Sequence, residues 1–519
     1  MNKLRLPIGN QSFQIIREKN CYYVDKTRQI RHLIDSGDYY FLSRPRRFGK
    51  SLLLSTLKEL FESNEPLFRG LHIHKHWDWS VRHPVLRLSF DGRYECPEDV
   101  ERSVIKQLGI IERNAGLAEA PGNTAQDYLL DLLDRLHHAT GQQIVVLVDE
   151  YDKPILDVID NKEMAIANRD KLRGIYGIIK GAAEHVRFVL VTGVSMFSKV
   201  SLFSDLNNLN NISLDPNYAT ICGFTDKELN SVFAPELAGL DRDEIRRWYN
   251  GYNWLGDEKV YNPFDILLLF QKRKFKSYWF ETGTPTFLLT LMMDSNISLL
   301  DLEKPRVSES ELSKFDVNNI GSMALFFQTG YLTIAEEQHK EMDSIYTLDY
   351  PNFEVRQSLT RWLFEFLEQP APEVSDQGMA FAALLASNDF QAFAGQLDSF
   401  LAGIPYQWLG ENARKESWYV ANLFGCLRVA GLDVRAEESS RWGRADMVVL
   451  YQNQVFVFEL KIADSHRLEE TAEAAIEQIR DRGYVDKYRH LDVPIHLIGI
   501  AFNREGTPGK SLILEAMSA

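Results

Sequence analysis

Two carboxylates and a lysine near the C-terminus have the spacing of a metal-dependent hydrolytic site. Asp446 precedes a run of β-branched and aromatic residues, and Glu459 follows that run with Lys461 two positions later. If Gln452 and Asn453 form a two-residue turn, the run folds into a hairpin. Counting outward from this turn pairs Asp446 with Glu459, with Cβ atoms about 4.5–5.5 Å apart and Lys461 on the same side. The pattern predicts that the two acids hold Mg²⁺ and that Lys461 assists attack of water on a phosphate.

An upstream helix offers a third carboxylate. Apolar residues recur at helical spacing within residues 413–430, namely Val420, Leu423, Leu427 and Ala430. Glu416 lies four residues before Val420 and extends the same stripe, which ends at Gly431. A carboxylate on the packed side of a helix is costly unless it is paired or binds a metal, so Glu416 is predicted as a metal ligand.

These segments resemble the PD-(D/E)XK nuclease superfamily, in the branch fused to an AAA-like ATPase. The motifs that carry the resemblance are Glu416, Gly443-Arg444-Ala445-Asp446, Glu459-Leu460-Lys461, Gln478 and Tyr484. The resemblance implies that Asp446 and Glu459 are metal ligands, that Glu416 is a helix-borne ligand, and that Lys461 positions the nucleophilic water or stabilises charge. The proline of the superfamily name is replaced here, and Gln478 either touches a ligand or only caps its helix. The competing interpretation is an exposed hairpin with a surface Glu–Lys pair, which adds little stability.

A second predicted site lies near the N-terminus. A short apolar strand at residues 39–42 runs into Gly49-Lys50-Ser51 and then into a leucine-rich helix, which is the order of a P-loop. Lys50 is predicted to reach the terminal phosphates, and the Ser51 hydroxyl to bind Mg²⁺. Arg44 stands where the P-loop pattern has its first glycine, which predicts a modified path for the loop. The predicted nucleotide-binding residues of the loop are Arg46, Arg47, Phe48, Gly49, Lys50 and Ser51.

Two further apolar strands end in residues suited to nucleotide hydrolysis. Residues 144–148 are typical of a strand buried on both faces of a parallel sheet, and Asp149 and Glu150 follow them. Asp149 is predicted to hold Mg²⁺ and Glu150 to activate the attacking water, whereas the alternative is an acidic helix cap. A third strand, residues 188–191, precedes Thr192 and Ser195. One of these two is predicted to sense the γ-phosphate, and Ser195 is counted among the nucleotide-binding residues.

Together, the N-terminal motifs resemble the AAA-ATPase-like domain family of bacteria, over roughly residues 7–290. They are Arg44-Pro45-Arg46-Arg47-Phe48-Gly49-Lys50-Ser51, Asp149-Glu150-Tyr151-Asp152-Lys153-Pro154, Thr192-Gly193-Val194-Ser195 and residues 203–209. The arginine-rich loop is the usual form in that family, so Arg44 agrees with the resemblance. Tyr23-Val24-Asp25-Lys26-Thr27 also matches, and either frames the nucleotide base or forms a solvated loop. The resemblance implies binding and hydrolysis of ATP, with Mg²⁺ as cofactor.

Length, net charge and cysteine content exclude several classes of protein. The chain of 519 residues is too long for one ordinary core, and its net charge of 58 − 73 = −15 argues against a general polyanion-binding protein. Four scattered cysteines, no run of about eighteen apolar residues and no signal peptide predict a cytoplasmic protein without a membrane partner. Local basic residues at 272–276, followed by Tyr278 and Trp279, form either a nucleic-acid surface or a solvated helix end.

The predicted fold class is α/β, in four parts. These are an AAA-like P-loop ATPase core at 1–220, a helical lid at 221–290, a connector at 291–375 and a PD-(D/E)XK nuclease-like domain at 376–519. The predicted function is an ATPase coupled to a Mg²⁺-dependent nuclease that acts on DNA rather than RNA, in a prokaryotic defence role. The alternatives are an ATP-switched nucleic-acid-binding or signalling protein with an inactive nuclease fold, and a P-loop kinase or nucleotide-metabolising enzyme. Assembly into a homo-oligomer is left open.

Overall fold

A computed structural model of the chain describes residues 3–118, 122, 124–196, 208–280, 288, 299–312, 315–316, 319–339, 344–366, 371–402, 416–439, 443–504 and 512–519. The chain divides into two units. Unit 1 comprises Met1–Ser295 and Lys304–Arg356, and unit 2 comprises Asn296–Glu303 and Gln357–Ala519. Within the described ranges, no helix is long and apolar enough to cross a membrane.

The apolar runs of the N-terminal sequence form a parallel sheet in unit 1. Its strands are β1 (Tyr39–Ser43), β2 (Val85–Ser89), β3 (Ile144–Asp149), β4 (Val186–Gly193) and β5 (Asn210–Asn211). Their spatial order is β2-β3-β4-β1-β5, and every pair is parallel. All six residues of β3 are buried, and the apolar run at residues 144–148 predicts this for the first five. Because β4 lies between β1 and β3, the residues that follow these three strands meet at one edge of the sheet.

Amphipathic helices connect these strands. The helix α5 shows the local logic, because Thr124 accepts a hydrogen bond from the Asp127 N–H at its start and Gly141, with φ of 65°, ends it. Between these caps, Leu129, Leu132, Leu133 and Leu136 are buried at helical spacing. The helices of this part are α1 (Phe13–Glu18), α2 (Thr27–Ser36), α3 (Lys50–Phe61), α4 (Pro97–Asn114), α5 (Ala125–Thr140), α6 (Lys153–Leu156) and α7 (Lys162–Gly181).

Short helices and a small antiparallel sheet follow, where the lid is predicted. The elements are β6 (Phe224–Thr225), α8 (Asp226–Val232), α9 (Arg242–Tyr249), β7 (Asn250–Tyr252), β8 (Val260–Tyr261) and α10 (Pro263–Lys272). Thr225 and Glu228 form the predicted capping box, and Asn262 caps α10 ahead of Pro263. The hydrophobic core of this region includes Tyr22 and Val24 from the N-terminal segment.

Most of the described part of the predicted connector belongs to unit 1. Its elements are β9 (Arg306–Ser308), α11 (Glu309–Leu312), β10 (Phe315–Asp316), β11 (Asn319–Ile320), α12 (Ser322–Thr329), β12 (Thr333–His339) and β13 (Ser344–Asp349). Strands β12, β13 and β9 form an antiparallel sheet in that order. Gly330 ends α12 with φ of 93°. Unit 1 extends to Arg356, the fourth residue of α13 (Phe353–Phe366).

Unit 2 has the predicted order of helix, three strands, helix and strand, followed by one strand that the sequence did not predict. The elements are α14 (Ala371–Ser387), α15 (Phe390–Ala402), α16 (Glu416–Val429), β14 (Asp433–Ser439), β15 (Arg444–Tyr451), β16 (Gln454–Ala463), α17 (Leu468–Asp481), β17 (Ile495–Asn503) and β18 (Leu512–Ser518). The sheet order is β14-β15-β16-β17-β18, in which β16 and β17 are parallel and the other pairs antiparallel.

Successive side chains of β16 pack into two different hydrophobic clusters, one on each face of the sheet. Phe456 and Phe458 pack in one cluster with residues of α14, α15 and α16, while Val455 and Val457 pack in another with residues of α17. Because successive side chains point to opposite faces of a strand, Glu459 continues the row that faces α17. The sheet therefore carries a carboxylate on the face that packs against α17.

Candidate nucleotide-binding and nuclease sites

The hairpin in unit 2 forms with the predicted turn and register. Gln452 and Asn453 have φ of 47° and 56°, the left-handed conformation that a tight two-residue turn requires. Tyr451 pairs with Gln454, and the pairing continues without a shift to Met447 and Phe458. One step further, Asp446 Oδ2 accepts a hydrogen bond of 2.7 Å from the backbone N–H of Leu460. The turn thus brings Asp446 to the end of β16 that carries Glu459.

Four of the predicted residues meet at this place. The Lys461 ammonium group donates to Glu459 Oε1 at 2.7 Å and to Glu416 Oε1 at 3.4 Å. Glu416 is the first residue of α16, and residues 413–415 of the predicted stripe lie outside the described residues. The structure therefore places Glu416, Asp446, Glu459 and Lys461 in one cluster.

Gln478 and Tyr484 complete the surroundings of Glu459. Gln478 on α17 donates from Nε2 to Glu459 Oε1 and to the Tyr484 hydroxyl, the latter at 3.4 Å. Gln478 thus touches Glu459 and does not merely cap its helix. A glutamine with a fixed amide orients the carboxylate that it contacts, which suits a residue that supports a ligand.

Burial and the excess of negative charge raise the pKa values of three residues in this cluster. Burial, followed by the charge of Glu459, raises the pKa of Asp446 to about 7. Burial also raises the pKa of Glu459, although the hydrogen bond and charge of Lys461 oppose that rise. Burial acts to lower the pKa of Lys461, but Glu459, Glu416 and Asp446 outweigh it, so the pKa of Lys461 is raised. Three carboxylates thus share a single ammonium group.

One oxygen of this cluster is open to a divalent cation. Glu459 is 1% exposed, and its Oε2 atom is buried without a hydrogen-bond partner. A buried carboxylate oxygen without a partner is costly, and a cation beside it would relieve that cost. No three His, Cys, Asp or Glu side chains are arranged as a metal site within the described part of the chain, and the Lys461 ammonium lies against Glu416 and Glu459 instead. A cation would therefore compete with Lys461 for these carboxylates.

In unit 1, the predicted P-loop connects β1 to α3. Gly49 has φ of 99° and Arg47 has φ of 67°, so the loop turns through left-handed backbone just before the helix. The buried Lys50 ammonium donates to the carbonyl oxygens of Arg44 at 2.8 Å and Pro45 at 2.9 Å. Burial lowers the pKa of Lys50, against the charges of Asp149 and Glu150. Lys50, at the end of the loop, thus binds the carbonyl groups at the start of the same loop.

Arg44 has a structural position in this loop. Its side chain is 0% exposed, and its guanidinium lies 4.2 Å from the centre of the Trp254 ring. The guanidinium also donates to three backbone carbonyl oxygens, those of Ser43 and Ser213 at 2.8 Å and that of Tyr218 at 3.1 Å. The residue that replaces glycine therefore ties the loop to neighbouring segments rather than facing the cavity described below.

The two acids at the end of β3, Asp149 and Glu150, occupy different environments. Asp149 is buried and accepts hydrogen bonds from Thr192 Oγ1 and from Arg87, each at 3.1 Å. Glu150 has φ of 53°, an uncommon backbone conformation for this residue type. Burial raises the pKa of Glu150, and the charge of Lys50 opposes that rise. A carboxylate with a raised pKa beside a lysine is suited to accept a proton.

The structure places Ser195 away from the cavity that Glu150 lines. Ser195 is fully buried, and its hydroxyl and N–H both donate to Asp152 Oδ2. Thr192 is the residue of this pair that contacts Asp149. Asp152 was not predicted as a site residue, although its place three positions after Asp149 in an acidic motif could have indicated it. Residues 203–207 of the family motif lie outside the described residues.

A cavity of about 620 Å³ opens over the P-loop, within the size range of small-molecule sites. Of the predicted residues, its wall includes Arg46, Arg47, Phe48, Gly49, Lys50, Ser51 and Glu150. The Phe48 ring itself is buried against Tyr252 and Trp254. The wall also includes Tyr23 of the N-terminal segment, Phe264 of the lid, and Thr329 and Tyr331 beyond the lid.

The basic segment at 272–276 does not form a stacking surface. Lys272, Lys274 and Lys276 are exposed, but the aromatic residues beside them are not. Tyr278 is 3% and Trp279 is 6% exposed, and both contribute to the packing of unit 1. Nucleic-acid bases could not stack on buried rings, so a solvated helix end describes this segment better.

Two family models match separate segments of the chain, and each segment contains one of the two candidate sites. Residues 7–203 match the family described as predicted AAA-ATPase, and residues 414–507 match the PD-(D/E)XK nuclease superfamily. A relative from Azotobacter chroococcum mcd 1, the "Uncharacterized protein in vnfD 5'region", is 48% identical over 522 residues, covering 100% of both chains. No solved structure matches the chain.

Proposed function

We propose, from the premise that this chain belongs to the family of predicted AAA-ATPases with a C-terminal PD-(D/E)XK nuclease superfamily domain, that it hydrolyses ATP in unit 1 and cleaves nucleic acid in unit 2. The observation that carries the nuclease half is the meeting of Asp446, Glu459 and Lys461 with Glu416. The ATPase half rests on Lys50 and Glu150 in the wall of one cavity.

The proposed nuclease reaction is hydrolysis of a phosphodiester. Water forms a bond to phosphorus while the bond to the departing sugar oxygen breaks. Asp446 and Glu459 would hold a divalent cation, which supplies charge neutralisation and lowers the pKa of bound water. Lys461 stabilises the charge that grows on the phosphate oxygens, and Glu416 adds a third carboxylate to the site. Gln478 keeps Glu459 oriented through its amide.

The proposed ATPase reaction uses the residues at the edge of the parallel sheet. Ser51 and Asp149 would hold Mg²⁺, and Lys50 would leave the carbonyls of Arg44 and Pro45 to bind the terminal phosphates. Glu150, whose pKa is raised by burial, accepts the proton of the attacking water. Arg46 lines the cavity and stabilises charge on the phosphates. Ser195 would act indirectly, through its hydrogen bond to Asp152.

The finer parts of the proposal rest on the family resemblance and on composition. We propose DNA as the preferred substrate, a role in prokaryotic defence, a cytoplasmic location, and the four-part division with boundaries at 220, 290 and 375. The scattered positions of Cys21, Cys96, Cys222 and Cys426 in the sequence support a reducing compartment. Assembly into a homo-oligomer would supply a neighbour's arginine to the ATPase site.

A non-enzymatic alternative has its own support. The net charge of −15 and the pairing of Lys461 with Glu416 and Glu459 both suit an ATP-switched binding protein with an inactive nuclease fold. Cleavage of nucleic acid separates the two proposals, since only the nuclease breaks phosphodiester bonds.

The test is a cleavage assay on plasmid, single-stranded DNA and RNA, with Mg²⁺ or Mn²⁺ and with or without ATP. We expect the chain to cleave DNA, Lys461→Ala to lose at least about a hundredfold in rate, and Lys487→Ala to retain the wild-type rate. Lys487 is the matched control because it is an exposed lysine of the same unit that pairs with Glu438. No cleavage of any substrate, with ATP still hydrolysed, would favour the binding protein.

A further inference from the structure

Residues 328–331, at the end of α12, form part of the wall of the nucleotide cavity although they lie beyond the ATPase core and lid. We call them the 328–331 segment. Thr329 and Tyr331 line the cavity, and both are buried. Three separate contacts connect this segment to the machinery that surrounds the phosphates.

The first contact joins Gly330 to the P-loop. A Cβ atom added to Gly330 would lie 2.8 Å from both Cβ and Cγ of Pro45, closer than real Cβ atoms come to their neighbours. Gly330 also has φ of 93°, which side chains other than glycine rarely adopt. The glycine therefore allows α12 to end directly against Pro45.

The second contact joins Gln328 to the end of β4. Gln328 is 2% exposed, its Oε1 accepts a hydrogen bond of 2.8 Å from Met196 N–H, and its Nε2 donates to the Leu312 carbonyl at 2.8 Å. Met196 directly follows Ser195, whose N–H and hydroxyl bind Asp152. Both functional groups of the buried amide are thus used to fix the chain next to the acidic motif.

The third contact passes through Trp279. Its indole N–H donates to the Arg46 carbonyl at 3.1 Å, and its ring centre lies 5.3 Å from that of Tyr331. Its backbone N–H donates to Glu354 Oε1 at 2.9 Å. Trp279 therefore holds a second P-loop residue against the same segment.

Phosphate binding involves the same residues that make these contacts. Lys50 donates to the carbonyls of Arg44 and Pro45 with two of its three N–H groups, and a phosphate that draws the ammonium into the cavity would weaken those bonds. Pro45 is the residue that touches Gly330. We propose that the 328–331 segment is a nucleotide-sensing element: it positions the P-loop and the end of β4, and it rearranges when phosphates displace Lys50 from the loop carbonyls. This inference rests on the proposed binding of ATP.

Hydrogen exchange of the full chain tests the proposal, with and without a non-hydrolysable ATP analogue and Mg²⁺. We expect slower exchange both in a peptide spanning the P-loop and in one spanning residues 322–334, and unchanged exchange in a peptide of α5. Protection of the P-loop alone would overturn the sensing role while leaving ATP binding intact. Protection of neither peptide would overturn both proposals.

A pair of glycine variants separates sensing from backbone strain. Gly330→Ala forces a methyl group onto Pro45, whereas Gly141→Ala meets a similar positive φ of 65° with nothing within 4 Å. We expect Gly330→Ala to raise the dissociation constant for ATP at least about fivefold, and Gly141→Ala to leave it within twofold. Equal ATP affinity in the two variants would contradict the proposal. If Gly330→Ala does not fold, hydrogen exchange of the wild-type chain decides the question.

Discussion

The Lys461 ammonium group lies 2.7 Å from Glu459 Oε1, two residues earlier on the same strand. A separation of two places both side chains on one face of β16, so the pair follows from strand geometry alone. This lysine neutralises Glu459, but Asp446 next to it has no cation of its own and its pKa rises to about 7. With Glu416, the site has three carboxylates and one ammonium group, so it holds two more negative charges than it balances when all three acids are ionised, and this excess favours binding of a metal cation.

The first prediction concerns stability and pH in the absence of metal. The pKa of Asp446 is about 7 in the folded chain and about 3.9 in an unfolded one. Its stabilising contribution is therefore fully present below about pH 4 and is lost as the pH rises through about 7. Asp446→Asn cannot ionise and keeps an oxygen for the Leu460 N–H. We expect this variant to have a higher free energy of unfolding than wild type at pH 8.

Urea unfolding in the presence of a chelator measures this difference at pH 5 and pH 8. The matched control is Asp481→Asn, an exposed acid at the end of α17 in the same unit. The control should follow the wild-type pH dependence. The same pH dependence in Asp446→Asn as in wild type would show that Asp446 does not titrate near neutral pH.

The second prediction concerns the pH dependence of metal binding. Below about pH 7 a metal must displace a proton from Asp446, so affinity should fall by up to about tenfold for each unit of pH lost. Titration with Mn²⁺ at pH 6, 7 and 8 gives this slope. Asp446→Asn should bind more weakly and with a smaller slope. Affinity that does not change between pH 6 and 8 would be inconsistent with Asp446 as a ligand.

The third prediction concerns ATP hydrolysis. Glu150→Gln removes the proposed proton acceptor without changing the size of the side chain, so kcat should fall by about a hundredfold or more while ATP binding is retained. Glu163→Gln, an exposed acid in the first turn of α7, is the control and should hydrolyse ATP at the wild-type rate. Steady-state kinetics and equilibrium binding of ATP distinguish the two effects. Unchanged kcat in Glu150→Gln would remove Glu150 from the mechanism.

The fourth prediction separates two arginines of one loop. Arg44 is fully buried and donates to three carbonyls, so Arg44→Lys should lower the free energy of unfolding by about 2–4 kcal/mol. Arg46 is exposed in the cavity wall, so Arg46→Ala should change stability by less than about 0.5 kcal/mol and weaken ATP binding instead. Chemical denaturation and ATP titration of both variants provide the test. A stable Arg44→Lys would show that lysine can replace the buried guanidinium.

Local rules explain why the nuclease hairpin could be predicted from sequence. A two-residue turn at Gln452 and Asn453 fixes the register of every later pair, so the position of Asp446 follows by counting. The runs of apolar residues in β1, β3 and β4 likewise predicted buried strands of a parallel sheet. In these cases the information lies within a few neighbouring residues.

Contacts between distant residues could not be predicted in this way. Gln328 and Met196 are 132 residues apart, and nothing in either segment identifies the other. The buried position of Arg44 depends on Trp254 and on the carbonyls of Ser213 and Tyr218, which only the folded chain brings together. A single sequence shows that Arg44 replaces a glycine, but not what compensates for the replacement.

We predict that ATP bound in unit 1 controls the rate of cleavage in unit 2, and the rate of DNA cleavage with and without ATP tests this prediction most directly. The full-length chain and Lys50→Ala are compared at saturating Mg²⁺, with Lys58→Ala, a part-exposed lysine of the same helix, as control. We predict that ATP changes the cleavage rate of wild type and of Lys58→Ala by at least about fivefold, and that it leaves Lys50→Ala unchanged. Cleavage that proceeds at the same rate with and without ATP in wild type would contradict the account.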